Sequence, residues 1–240
     1  MILRPLIDVP STPATDDDTA VGAILRGAAF LAVAAVVVQS AAHLVDVVAF
    51  DLSVNLINVD SDTSAFTWAS VVTEGTAAAM GLLMAATVAG PRGRLLLLSG
   101  LLAFFSLDDA VEIHERISSQ ASRFLDFPHS SRVFWPLVFL PLLSATFVLL
   151  WNLARHAHFP AGRAIRFGLV LLAAAVALEV ASPLLISSWD HGDLAYELEV
   201  VIEEGLELGG WIMITGGLAA ILVGRRATVP GRPPSGVSPA

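Results

Sequence analysis

Apolar residues in this chain rarely alternate with polar ones. They run on for twenty or more positions at a time, broken only by short polar links. A hydrocarbon core about 30 Å thick needs roughly 20 helical residues to cross it. Six stretches meet that length: 27–50, 66–90, 95–114, 133–153, 167–189 and 203–224. The link Pro91-Arg92-Gly93-Arg94 leaves room only for a tight turn, so the second and third spans are antiparallel neighbours. The pattern predicts an all-α polytopic membrane protein, a bundle of six transmembrane helices within residues 21–226.

The two ends differ in kind. Residues 1–20 mix proline, threonine and three consecutive aspartates, which predicts a flexible arm. They lack a basic start, a short apolar stretch and a small-residue cleavage site, so a cleaved signal peptide is not expected. Residues 227–240 are rich in Pro, Gly and Ser and are expected to be disordered.

Composition supports the membrane reading. Charged residues are 15% of the 240 and hydrophobic residues 55%, where a soluble domain carries about 25% charged. Cysteine is absent, which excludes disulfides, thiolate metal sites and cysteine nucleophiles. The net charge is −9 with no basic cluster, which excludes nucleic acid as a partner.

All 13 basic residues are arginine, and their placement sets an orientation. With six spans both termini share one side. That side holds Arg4, Arg26, Arg92, Arg94, Arg155, Arg163, Arg166, Arg225, Arg226 and Arg232, against Arg116, Arg123 and Arg132 opposite. The positive-inside rule then places both termini in the cytoplasm of a bacterial-type inner membrane. Trp68, Trp135 and Trp189 fall at the outer interface and Trp151 at the inner one.

The acids show the opposite bias. Only Asp8, Asp16, Asp17 and Asp18 of the 22 lie on the cytoplasmic side. Length forces several of the others into the bilayer. The third span has thirteen uncharged residues (95–107) before Asp108, only about 20 Å of helix. Asp108, Asp109, Glu112 and His114 must therefore lie at or inside its outer boundary. By the same reasoning Glu207 is intramembrane, with Glu203 and Glu204 near the interface. Glu74 stands about 12 Å in from the outer end of the second span, and Glu179 about 20 Å from the inner end of the fifth. His43 and Asp46 occupy the outer part of the first. The fourth span offers no ionisable residue and reads as a lipid-facing wall, bent at Pro136 and Pro141. Glu197, Glu199, Asp190 and Asp193 read as solvated residues near a helix start.

A carboxylate at a helix centre costs about 2.5–3.5 kcal/mol on insertion scales. Several at one depth, with no lysine or arginine among them, must be protonated, hydrated or bound to a cation. The third span reads Asp108-Asp109-Ala110-Val111-Glu112 and the sixth Glu203-Glu204-Gly205-Leu206-Glu207. In a helix Asp108 and Glu112 share a face, as do Glu204 and Glu207. Two helices with carboxylate pairs and two with a single Glu (Glu74, Glu179) resemble a four-helix dinuclear metal box. The Glu-x-x-His of that box is missing here. The residues expected to hold a divalent metal ion are Asp108, Asp109, Glu112, Glu204, Glu207 and His114. Oxygen-rich ligation suits Mg²⁺, Mn²⁺ or Ca²⁺. Glu74, Glu179 and His43 are expected to complete the shell or act as general base. A zinc hydrolase using His43, His114 or His191 is a second arrangement.

The chemistry expected is that of a metal-dependent membrane enzyme acting on a membrane lipid or a small apolar substrate. A proton- or cation-coupled transporter using the same carboxylates is the alternative. A non-catalytic subunit of an oligomer or larger membrane complex is a third.

Overall fold

The computed structural model describes residues 15–87, 91–124, 130–185 and 194–226. Seven α-helices and no strand occur among them. They are α1 (Thr15–Val45), α2 (Ala65–Thr87), α3 (Arg92–Val111), α4 (Ile113–Ser122), α5 (Ser130–His156), α6 (Phe159–Leu185) and α7 (Leu194–Arg226). A wider π turn, Asp46–Phe50, continues α1. The expected C-terminal tail and the first fourteen residues of the expected arm lie outside the described residues. The last part of that arm is already helical, since α1 starts at Thr15.

Five of these helices hold segments long and apolar enough to cross a membrane: Thr19–Phe50, Ala65–Thr87, Phe134–His156, Phe159–Ser182 and Leu194–Gly224. The chain is thus a helical protein of membrane character. α3 is 20 residues long but carries arginines at one end and Asp108 and Asp109 at the other. Large apolar side chains point outward on every long helix, among them Phe30, Val33, Val72, Leu97, Leu137 and Val170. Such a surface is stable where lipid covers it.

α7 is the hub and packs against α1, α2 and α6. α2 pairs with α3, α3 touches α5, and α5 packs on α6. The helices α7, α2, α3, α5 and α6 therefore form a closed ring, with α1 outside it. α6 and α7 approach closely because glycines face each other: a Cβ on Gly168 would lie 2.5 Å from the Gly210 carbonyl oxygen. Small residues allow this contact in apolar bundles. α5 continues through Pro136 and Pro141 as one helix.

Two boundaries differ from the sequence pattern. The third span was expected to continue to His114, but α3 ends at Val111. Glu112 takes a left-handed conformation (φ 57°) and α4 starts anew. Asp108 and Glu112 therefore do not share a helical face. α7 starts nine residues before the expected 203, so Glu197 and Glu199 stand in a packed helix instead of a solvated cap.

Candidate functional site

The ring of helices encloses a cavity of about 830 Å³, within the range of about 300–1,000 Å³ typical of ligand sites. Eleven carboxylates line it. Asp60 and Asp62 come from the segment 51–64, Glu74 from α2, and Asp108 and Asp109 from the end of α3. Glu112 and Glu115 come from the break and α4, Glu179 from α6, and Glu203, Glu204 and Glu207 from α7. His114 is the one basic lining residue, and no arginine lines the cavity among the described residues.

Side-chain-to-backbone hydrogen bonds hold α2 in place around Glu74. The Ser106 hydroxyl of α3 donates to the Val71 carbonyl (2.9 Å), and Thr215 of α7 donates to the Thr73 carbonyl (3.2 Å). In a surrounding without competing water such bonds fix helix register. Glu74, Asp109 and Glu207 then converge, each offering an oxygen within 4.8 Å of the others. Glu74 is 1% exposed, and its carboxylate meets no donor; the group within hydrogen-bonding reach of it is a second carboxylate, Asp109. Buried polar atoms are nearly always satisfied, so a carboxylate without a donor, aimed at two others, marks a place for a proton or a cation. The buried Trp211 indole N–H, one turn beyond Glu207, lies beside it without reaching hydrogen-bonding geometry.

The break at Glu112 has a local consequence. Asp108 now receives the His114 backbone N–H (2.8 Å) and pairs with His114 Nδ1 (3.1 Å). Burial opposes a charge on His114, but the bond to Asp108 and the fields of Asp108, Glu179 and Glu115 outweigh it and raise the imidazole to about 9. Its charge is felt by Asp109 and Glu207. Glu112 itself turns to the mouth, where it groups with Asp62 and Glu115 within 4.8 Å and lies 3.7 Å from Arg116. Partial burial and then the neighbouring carboxylates, Glu112 for Asp62 and Asp62 for Glu115, hold both acids above their ordinary range.

Glu179 accepts a 2.5 Å hydrogen bond from the Trp135 indole N–H of α5. α5 is therefore a cavity wall and not only a lipid-facing one. The sequence pattern missed this because Trp135 is not ionisable. Glu204 and Glu207 line the cavity together, as the i, i+3 spacing requires, although only Glu207 joins the tight trio.

Of the metal ligands expected from sequence, the structure thus brings Asp109 and Glu207 together and adds Glu74. It diverts Asp108 to His114, leaves Glu204 beside the trio and moves Glu112 to the mouth. His43 does not line the cavity. It is buried between α1 and α7, bonded to Glu197 (2.9 Å), and its Nδ1 accepts the Val59 N–H (3.2 Å). Asp46, also buried, accepts from the Val54 N–H (3.1 Å). Glu199 accepts from Ser182 of α6. Glu197 and Glu199 are thus buried partners and not solvated ones. His191, Asp190 and Asp193 lie outside the described residues. Asp60 and Asp62 were not foreseen as lining residues, and their run Asp60-Ser61-Asp62 in a polar link was the available signal.

No curated protein and no solved structure matches the chain. A family model described as a domain of unknown function (DUF8692) matches residues 25–221, which takes in the ring of helices except the last turn of α7, and every cavity-lining carboxylate. The chain belongs to that family.

Proposed function

We infer that Glu74, Asp109 and Glu207 bind a divalent cation and that the protein is a cation-dependent membrane enzyme acting on an amphiphilic or apolar substrate. The observation that carries this reading is the buried Glu74 carboxylate, which meets no donor and faces two more carboxylates. Three clustered anions in a low-dielectric wall repel one another strongly, and a hard cation with oxygen ligands relieves that repulsion. Mg²⁺, Mn²⁺ and Ca²⁺ fit the donor set better than a metal that prefers nitrogen or sulfur. A cation held by these three residues would supply a Lewis acid for a substrate oxygen or for a water molecule.

In this reading α3 is the sixth span, both termini are cytoplasmic, and the acidic end of the cavity opens on the outer side of a bacterial inner membrane. His114 is the proton donor. Asp108 holds the Nδ1–H and orients the ring, as a carboxylate does for a catalytic imidazole, and the raised pKa keeps the ring charged near neutrality, so the proton to give is the one on Nε2. Glu179 faces the substrate.

Transport by the same carboxylates is the second reading. Against it stands the lining beyond the acidic layer, which is apolar apart from Ser144 and Thr146 and offers no ionisable relay among the described residues. The test is an assay of the purified chain in nanodiscs of bacterial inner-membrane lipid with added Mg²⁺, Mn²⁺ or Ca²⁺, with products read by mass spectrometry. The reading expects lipid turnover that a chelator stops and His114→Gln slows by about 10²-fold or more, as for loss of a general acid. Proton flux in liposomes that Glu74→Gln abolishes, without turnover, favours transport instead.

A further inference from the structure

The cavity is amphipathic, and its two halves meet at Glu179. Leu169, Leu172, Val176 and Glu179 stand at successive turns of α6 and all line it. Across from them α5 offers Trp135 at the polar end and then Leu143 and Leu150. The ten steps along α6 from Leu169 to Glu179 span about 15 Å at 1.5 Å per residue. This is a slot with mainly hydrocarbon walls, continuous with the acidic layer, and the Glu179–Trp135 pair stands where the two meet. Leu140 and Phe147 both line it and are exposed on the outer surface of α5, so the slot reaches the lipid-facing side of the bundle. Partway along it the Thr146 hydroxyl is buried without a partner.

Charge selects what enters. Among the described lining residues eleven are carboxylates and none is Arg or Lys. A divalent cation at Glu74, Asp109 and Glu207 and a proton on His114 still leave the wall net negative, through Asp60, Asp108, Glu112, Glu179 and Glu203. An anionic head is repelled at such a surface and a cationic one is attracted. The indole rings of Trp135 and Trp211 in the same wall favour an alkylammonium over a neutral head.

We propose that the cavity binds a single-chain amphiphile with an ammonium head, the head at Glu179 and the chain in the slot between α5 and α6. The proposal rests on the reading of this cavity as a substrate site and gives the chemical class of its ligand.

The test uses the full chain in nanodiscs of zwitterionic lipid and radiolabelled dodecyltrimethylammonium, with binding to empty nanodiscs subtracted. Dodecyl sulfate and dodecyl maltoside serve as competitors of equal chain length. The expected result is one saturable site per chain, which unlabelled ammonium competes for about tenfold better than the other two, a factor worth about 1.4 kcal/mol. Glu179→Gln is expected to erase that preference, and Leu172→Trp, which fills the slot, to abolish binding. If Glu179→Gln fails to fold, the head-group series and Leu172→Trp decide. Equal competition by all three heads, or binding indifferent to Leu172→Trp, overturns the proposal. The assay is repeated in chelator, where the ammonium site is expected to persist. A cation-binding protein without ammonium preference overturns this inference alone. Ammonium binding in a chain that binds no cation supports it and removes only the cation.

Discussion

His43 of α1 and Glu197 of α7 form a buried pair at 2.9 Å, with side chains 0% and 1% exposed. Because the Val59 N–H donates to Nδ1, the imidazole carries its proton on Nε2 and gives it to the Glu197 carboxylate. Both ring nitrogens are thereby used in holding α1 and the segment before α2 against α7. Removing one partner of a buried pair costs about 3–5 kcal/mol. His43→Ala is therefore expected to lower unfolding stability by an amount of that order while leaving cation stoichiometry at its wild-type value. Wild-type stability, or a lost cation in a folded variant, would contradict this assignment.

The Asp108–His114 pair gives a pH signature. An unfolded histidine titrates near about 6.5, and His114 in the fold is raised to about 9. The folded state binds the proton more tightly, so this stabilisation is complete below the unfolded value and is lost as pH rises through the folded one. The unfolding temperature of the wild type should fall between neutral pH and the region of 9, and that of His114→Gln should change less. Identical pH slopes in the two proteins would sink the assignment.

At Glu112 the backbone is left-handed (φ 57°) without being glycine, a conformation that costs a side-chain-bearing residue roughly 1–2 kcal/mol. The side chain reaches only the mouth group and Arg116, and an exposed i, i+4 ion pair contributes about 0.3–0.5 kcal/mol. Relief of backbone strain should outweigh that loss. Glu112→Gly is expected to unfold at the same or a higher denaturant concentration, read by circular dichroism. A marked drop would mean that the mouth carboxylates hold the α3–α4 break together.

The contact between α6 and α7 at Gly168 and Gly210 sets the position of Glu207, one turn above it. A Cβ on Gly168 would stand 2.5 Å from the Gly210 carbonyl oxygen and 2.7 Å from the Ile214 side chain, so the helices must separate. Overpacking of this kind costs about 1–3 kcal/mol. Gly168→Ala should lower stability by that order and weaken cation binding with it. Unchanged stability would show that the helices adjust without separating.

The helical class and the membrane character were legible in the sequence because they follow from run length and from a rise of 1.5 Å per residue. Glu74 and Glu207, expected at one depth on that ground, both line one cavity. Face and partner were not legible. Asp108 and Glu112 would share a face in an unbroken helix, and nothing in Asp108-Asp109-Ala110-Val111-Glu112 announces a left-handed residue where glycine is the usual choice. Glu197 and Glu199 looked solvated because their acidity hid an early start of α7, whose other residues there (Tyr196, Val200, Val201) are buried. His43 was assigned to the acidic layer by its position along the first span, which says nothing about which side of α7 it occupies. Helix order around the ring decides that, and periodicity within single helices does not encode it.

Cation binding at Glu74, Asp109 and Glu207 is read by titrating the purified chain with Mn²⁺ detected by electron paramagnetic resonance, alongside Glu74→Gln, with Asp109→Asn and Glu207→Gln as companions. The account predicts about one tightly bound ion per wild-type chain, displaced by excess Mg²⁺ or Ca²⁺, and at least a tenfold loss of affinity (about 1.4 kcal/mol) in each folded variant. A wild-type protein that binds no stoichiometric cation, or a Glu74→Gln protein that binds it unchanged, would contradict the account.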